Sequence, residues 1–91
     1  MADGWVLDRS MRAVHLTWLA ERLALYSFEA AVVGPPGAEV LRLVTGGSGC
    51  IRYVVCVPAP QLGTWAWLWS NGWALVTDPN AVAMIAEAMR S

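Results

Sequence analysis

The chain has 91 residues, 57% of them hydrophobic and only 14% charged, and its formal net charge is −1. That length is one domain, and a charged share so far below the roughly 25% of ordinary soluble domains excludes disorder and points to apolar surface held in an interface. Near-neutrality also excludes the electrostatic signature of a protein that binds nucleic acid or an anionic membrane.

Residues 1–7 read as a short lead-in, with Trp5 and Leu7 placed to dock it. Asp8 or Ser10 can cap the helix that follows, which the spacing predicts over residues 8–25. Met11, Val14, Trp18 and Leu25 make one apolar stripe, and Leu16, Leu19 and Leu23 make a second beside it. From Tyr26 to Val33 the period changes to two, which reads as a strand. A continued helix would bring Glu29 and Arg22 into the apolar arc, where unpaired charge is costly. Gly34-Pro35-Pro36-Gly37 turns the chain. A second strand, Glu39–Thr45, and a third, Cys50–Val57, flank the flexible turn Gly46-Gly47-Ser48-Gly49. Symmetric closure pairs Val44 with Ile51, Arg42 with Tyr53, Leu43 with Arg52 and Leu41 with Val54. Pro58 and Pro60 cannot continue a central strand, so residues 58–63 are expected to form a loop.

The densest signal is Thr64–Thr77. Asn71-Gly72 between two alternating apolar runs predicts a type I′ hairpin, which needs positive φ at both turn residues. Pairing outward sets Ser70 opposite Trp73, Trp69 opposite Ala74 and Trp67 opposite Val76. Trp65, Trp67, Trp69, Ala74 and Val76 then share one face, and Leu68, Trp73 and Leu75 the other. Both faces are apolar and both need cover. Asp78-Pro79 starts the last helix, with the aspartate as cap and proline at the first helical position. Val82, Ile85, Ala86 and Met89 form its apolar face. The expected fold is α+β: helix, five-stranded and mostly antiparallel meander, C-terminal helix, with both helices on one face of the sheet.

These motifs resemble those of small actinobacterial α+β proteins. The shared elements are the Gly-Pro-Pro-Gly turn before a Val-Leu-Arg strand at Gly34 to Leu43, the Trp-rich hairpin, and the Asp-Pro start of an alanine-rich helix. That group carries no activity to transfer, so the resemblance implies a fold and no functional residue. The architecture is also similar to secretion-chaperone-like α/β dimers, an analogy of fold alone.

Few residues suggest chemistry. His15 is the sole histidine and has no identified acid–base partner. His15, Cys50 and Cys56 lack the close pairs of a zinc site, so no metal or other cofactor is expected. Two strand-borne cysteines about 20 Å apart cannot bridge and should be free thiols. The Gly46–Gly49 run lacks the lysine and the helix of a phosphate loop. Trp65, Trp67 and Trp69 could stack bases, but no basic groove accompanies them. The apolar run Val14–Val33 is broken by Glu21, Arg22 and Glu29, and Met1-Ala2-Asp3-Gly4 lacks the features of a signal peptide. The expectation is therefore a cytoplasmic, non-catalytic binding or scaffold protein. It acts as a homodimer, can engage a second polypeptide, and binds neither nucleic acid nor membrane. Trp65, Trp67, Trp69, Trp73, Leu75, Trp18 and Val76 are the binding or interface residues. The alternative is a small-molecule-binding protein or accessory enzyme with a Trp-lined pocket.

Overall fold

The computed structural model describes residues 10–45 and 49–90. The expected lead-in, the first two residues of the first helix and the Gly46-Gly47-Ser48 turn lie outside the described residues. In chain order the elements are α1 (Ser10–Ala24), β1 (Phe28–Val33), β2 (Val40–Thr45), β3 (Ile51–Ala59), a 3-10 turn at Pro60–Leu62, β4 (Thr64–Trp69), β5 (Gly72–Leu75) and α2 (Ala81–Arg90). The strands form one antiparallel sheet in the order β1-β2-β3-β4-β5. The fold is the expected α+β meander, because each connection is too short for anything but an antiparallel return.

Residues 26–33 do leave the helix. The amides of Leu25, Tyr26 and Ser27 donate to carbonyls three residues back, Ser27 takes a left-handed φ of 70°, and β1 starts at Phe28. The turn into β2 needs its first glycine, since a Cβ on Gly34 would lie 2.9 Å from the Ala38 carbonyl oxygen and its φ is +107°.

The register between β2 and β3 is the one expected, with Leu41, Arg42, Leu43 and Val44 opposite Val54, Tyr53, Arg52 and Ile51. The end of β3 is not. It runs through Pro58 to Ala59, with Pro58 opposite Trp65. The reason is a stagger. β2 pairs with the first half of β3, and β4 pairs with Val55 to Ala59 in the second half. The Thr45 amide donates to the Cys50 carbonyl, so even-numbered β3 residues turn their backbone groups toward β2. Pro58 therefore lacks its N–H on the flank β2 has already left, where no ladder bond is lost. Arg12 of α1 reaches into that vacated flank. Its guanidinium donates from Nε to the Cys56 carbonyl at 3.0 Å and from Nη1 to the Gly37 carbonyl.

The Trp hairpin forms with a different turn. Trp69 pairs with Gly72, Leu68 with Trp73 and Trp67 with Ala74, so the loop is Ser70-Asn71. None of Ser70, Asn71 and Gly72 has positive φ, and the turn is not type I′. A register slide of two residues leaves every side chain on its expected face, whereas a slide of one would have reversed them all. Gly72 is needed for space. A Cβ there would sit 2.8 Å from the Trp69 ring carbons, because that indole lies across the glycine.

One cluster makes the core: Leu16, Leu19 and Leu23 of α1, Phe28, Leu41, Leu43, Val54, Cys56, Trp65, Trp67 and Ala74 of the sheet, and Ala81, Ile85, Ala86 and Met89 of α2. The registers place all eight of those sheet residues on one face. Only the second α1 stripe is buried; Val14, Trp18 and the following Leu25 are exposed. The start of α2 is also revised. The Asn80 carbonyl accepts the first helical bond, from Met84, which makes Asn80 the cap residue. Asp78 instead accepts from the Asn80 amide at 2.9 Å, and Pro79 precedes the helix.

The Gly72 contact yields a sign test. In the native chain, Gly72→Ala should destabilise by roughly 1–3 kcal/mol through overpacking against Trp69. In a Trp69→Ala background the same change should be neutral or stabilising, since alanine outranks glycine in a strand. Urea titrations of the four-member cycle measure it; equal costs in both backgrounds would refute the contact.

Candidate functional site

The tryptophans divide into an inner and an outer set. Trp65 and Trp67 point into the core and are almost wholly buried. The His15 ring lies 5.8 Å from Trp65 and 6.0 Å, edge-on, from Trp67. Trp18 stacks parallel to Trp67 at 6.4 Å, and the Arg12 guanidinium lies 5.7 Å from the Trp65 ring centre. Three residues spaced by three on α1, namely Arg12, His15 and Trp18, thus lie along the two buried indoles.

This inner cluster is packed into the core from both the sheet and α1. The Nε1 atoms of both Trp65 and Trp67 are buried and without a hydrogen-bond partner. Each orphaned donor costs roughly 1–3 kcal/mol. Burying an indole of roughly 150–250 Å² returns about 4–6 kcal/mol at 25 cal/mol per Å², so packing wins despite the loss. Bases cannot stack on Trp65 or Trp67, because both rings are almost wholly buried. Among the described residues no group of three His, Cys, Asp or Glu side chains is placed to hold a metal ion. Nor is any helix there long and apolar enough to cross a membrane.

Trp73 lies on the opposite sheet face. Here the registers build crosswise rows, Val55–Leu68–Trp73 and Val57–Ala66–Leu75, next to Tyr53 and Ile51. Trp73 is 59% exposed, Ile51 55%, Tyr53 53% and Leu68 36%, a concentration of large apolar side chains left to solvent on one face. Leu75 is half-buried among them. Of the seven residues singled out in the sequence, Trp73 and Leu75 belong to this face. Trp65 and Trp67 are core, and Trp69 and Val76 pack half-buried at its edge. Trp18 sits at the flank of α1, with one part of its ring against Trp67 and the rest exposed. Leu68 is where the hairpin pattern puts it, beside Trp73 and Leu75; Ile51 and Tyr53 join them from β3, whose alternation Ile51, Tyr53, Val55, Val57 carries the signal.

No family model matches the chain, and no curated protein or solved structure matches it either. The face must therefore be judged on its own chemistry, which is apolar and aromatic, with Glu29 and Arg42 confined to its β1 and β2 side.

The two cysteines form no disulfide and differ in setting: Cys50 is exposed and Cys56 buried. Burial pushes the Cys56 thiol up to about 12, against a smaller opposing pull from Arg12. At pH 8 only about one Cys56 thiol in ten thousand is then ionised, and the thiolate is the reactive form. A disulfide-exchange reagent should modify one thiol per native chain quickly and the second only on unfolding. Two equally fast thiols would place Cys56 outside the core.

Burial also lowers the His15 pKa from its ordinary 6.5. The folded chain holds this imidazole neutral, while the unfolded chain takes up the proton near pH 6.5. Stability should therefore be level above about pH 6.5 and fall as the pH drops from there through the lowered folded value. Urea midpoints between pH 5 and 8 should show this slope in the native chain and a shallower one in His15→Gln. An identical slope in both would assign the pH dependence elsewhere.

Proposed function

We propose that the protein is a non-catalytic binding or scaffold protein that acts as a homodimer, with two open sheet faces pressed together. In this reading both helices serve the face that carries Trp65 and Trp67, and among the described residues no element remains for the other. The carrying observation is the joint exposure of Ile51, Tyr53, Leu68 and Trp73 on that second face. Together they leave on the order of 400 Å² of apolar surface, within the range of the largest patch a monomer tolerates and one that often marks a binding surface. Half-buried Val44, Val55, Val57 and Leu75 extend it, toward the roughly 800 Å² per partner that a stable pair needs. A twofold dimer covers the face with no second gene product.

The exposed stripe of Val14 and Trp18 on α1, continued at Leu25, is separate from this face and supports engagement of another polypeptide. The Trp-lined pocket of the alternative reading finds no support at Trp65 and Trp67, which fill the core.

Light scattering over a wide concentration range tests the dimer. The native chain should weigh twice its 9.9 kDa. Leu75→Glu, which puts a charge on the open face, should give a folded monomer, and Trp67→Glu should unfold. A native chain still monomeric at high micromolar concentration would end this proposal.

A further inference from the structure

We infer that Trp73 of each copy seats in a notch beside β3 of the other, so that two identical aromatic contacts close the dimer. This rests on the pairing of open faces proposed above and specifies how they fit.

The notch follows from the stagger of the sheet. β4 pairs with β3 from Ala59 back to Val55, and after Trp69 the chain turns away at Ser70-Asn71. β3 continues toward Ile51 with no strand beyond that turn on the β4 flank. A groove of about 440 Å³ occupies the vacancy, lined on the open face by Ile51, Tyr53, Val55 and Leu68, with Arg52, Trp69, Ser70 and, from α2, Met89 completing its walls. Even-numbered β3 residues direct their backbone groups to β2, so Ile51 and Tyr53 direct theirs to this side. The groove is mainly apolar with Arg52 and Ser70 at its walls, carries a polarisable thioether suited to an aromatic ring, and has the Ile51 and Tyr53 backbone groups directed toward it.

The occupant is on the same face. Trp73 is the most exposed aromatic side chain among the described residues. It stands opposite Leu68, on the far side of β4 from the notch. Two strand spacings, about 10 Å, and the Leu68 side chain separate it from β3 of its own copy. A twofold axis running along the strands near β4 removes that separation. It carries β5 of one copy over β3 of the other, and does so twice. The open-face residues of β4 and β5, namely Thr64, Ala66, Leu68, Trp73 and Leu75, are uncharged, so the contact leaves no charge from these strands unpaired. An indole also suits the notch, with apolar bulk and an N–H that can donate to a backbone carbonyl or to Ser70. Protrusion and recess on one face are what a self-complementary interface requires, and that commits the surface to a second copy of this chain.

Complementation between two surface variants tests this. Trp73→Ala removes the protruding ring and keeps the notch. Tyr53→Glu keeps the ring and puts a charge in the notch that docking would bury. Both positions are exposed, and circular dichroism should show native folds. Each variant alone should dimerise about 30-fold or more weakly than the native chain, the loss usual for a buried aromatic anchor. An equimolar mixture should associate more tightly than either, because the mixed dimer restores one complete contact. Trp73→Phe, which retains a ring and loses the N–H, should fall between native and Trp73→Ala. Variants that dimerise like the native chain, or a mixture no tighter than its components, would overturn the seating of Trp73 and leave the face-to-face dimer standing. A monomeric native chain would remove both.

Discussion

Everything in this sheet depends on β3 belonging to two ladders in succession. Its first half is a neighbour of β2 and its second half a neighbour of β4. An antiparallel strand satisfies its backbone groups on alternate sides, so a strand shared in this way leaves two diagonal gaps. One gap, on the β2 flank, is closed by the Arg12 side chain bonded to the Cys56 and Gly37 carbonyls. The other, on the β4 flank, stays open as the groove around Tyr53. The same geometry admits Pro58 into the strand and decides where Trp69 must end its pairing.

The inner tryptophans show a trade the protein makes for packing. Two indole N–H donors remain without an acceptor in the core, a rare condition for buried polar groups. Area burial outweighs that loss, and the flanking Arg12, His15 and Trp18 add ring contacts on the α1 side. A smaller side chain would spare the donors and open a cavity, which is the costlier defect in a chain with a core of this size.

Much of this was legible in the sequence. The order of elements, the faces of the Trp hairpin and the register of β2 on β3 followed from alternation and turn residues. The failures have specific causes. Asn71-Gly72 carries the composition of a primed turn, but the Trp69 ring claims the space above Gly72, and a local rule yields to a cross-strand contact. Pro58 reads as a strand breaker only if β3 is central along its whole length, and stagger cannot be seen in a linear pattern. Two α1 stripes were equally apolar; which one is buried depends on the sheet beneath. The alternation Ile51, Tyr53, Val55, Val57 marks one face of β3, but nothing local says whether that face meets a core or water.

The Arg12 contact also bears on the order of events during synthesis. The hairpins of the meander are local and close among near neighbours in sequence, whereas Arg12 reaches Cys56 across 44 residues. A bare strand flank is a template for pairing with foreign chains. Because α1 precedes the sheet in the chain, its arginine has already been made when β3 leaves the ribosome. The guard therefore exists before the edge it guards. A circular permutant that moved α1 to the end would still carry Arg12 but would expose that edge throughout translation.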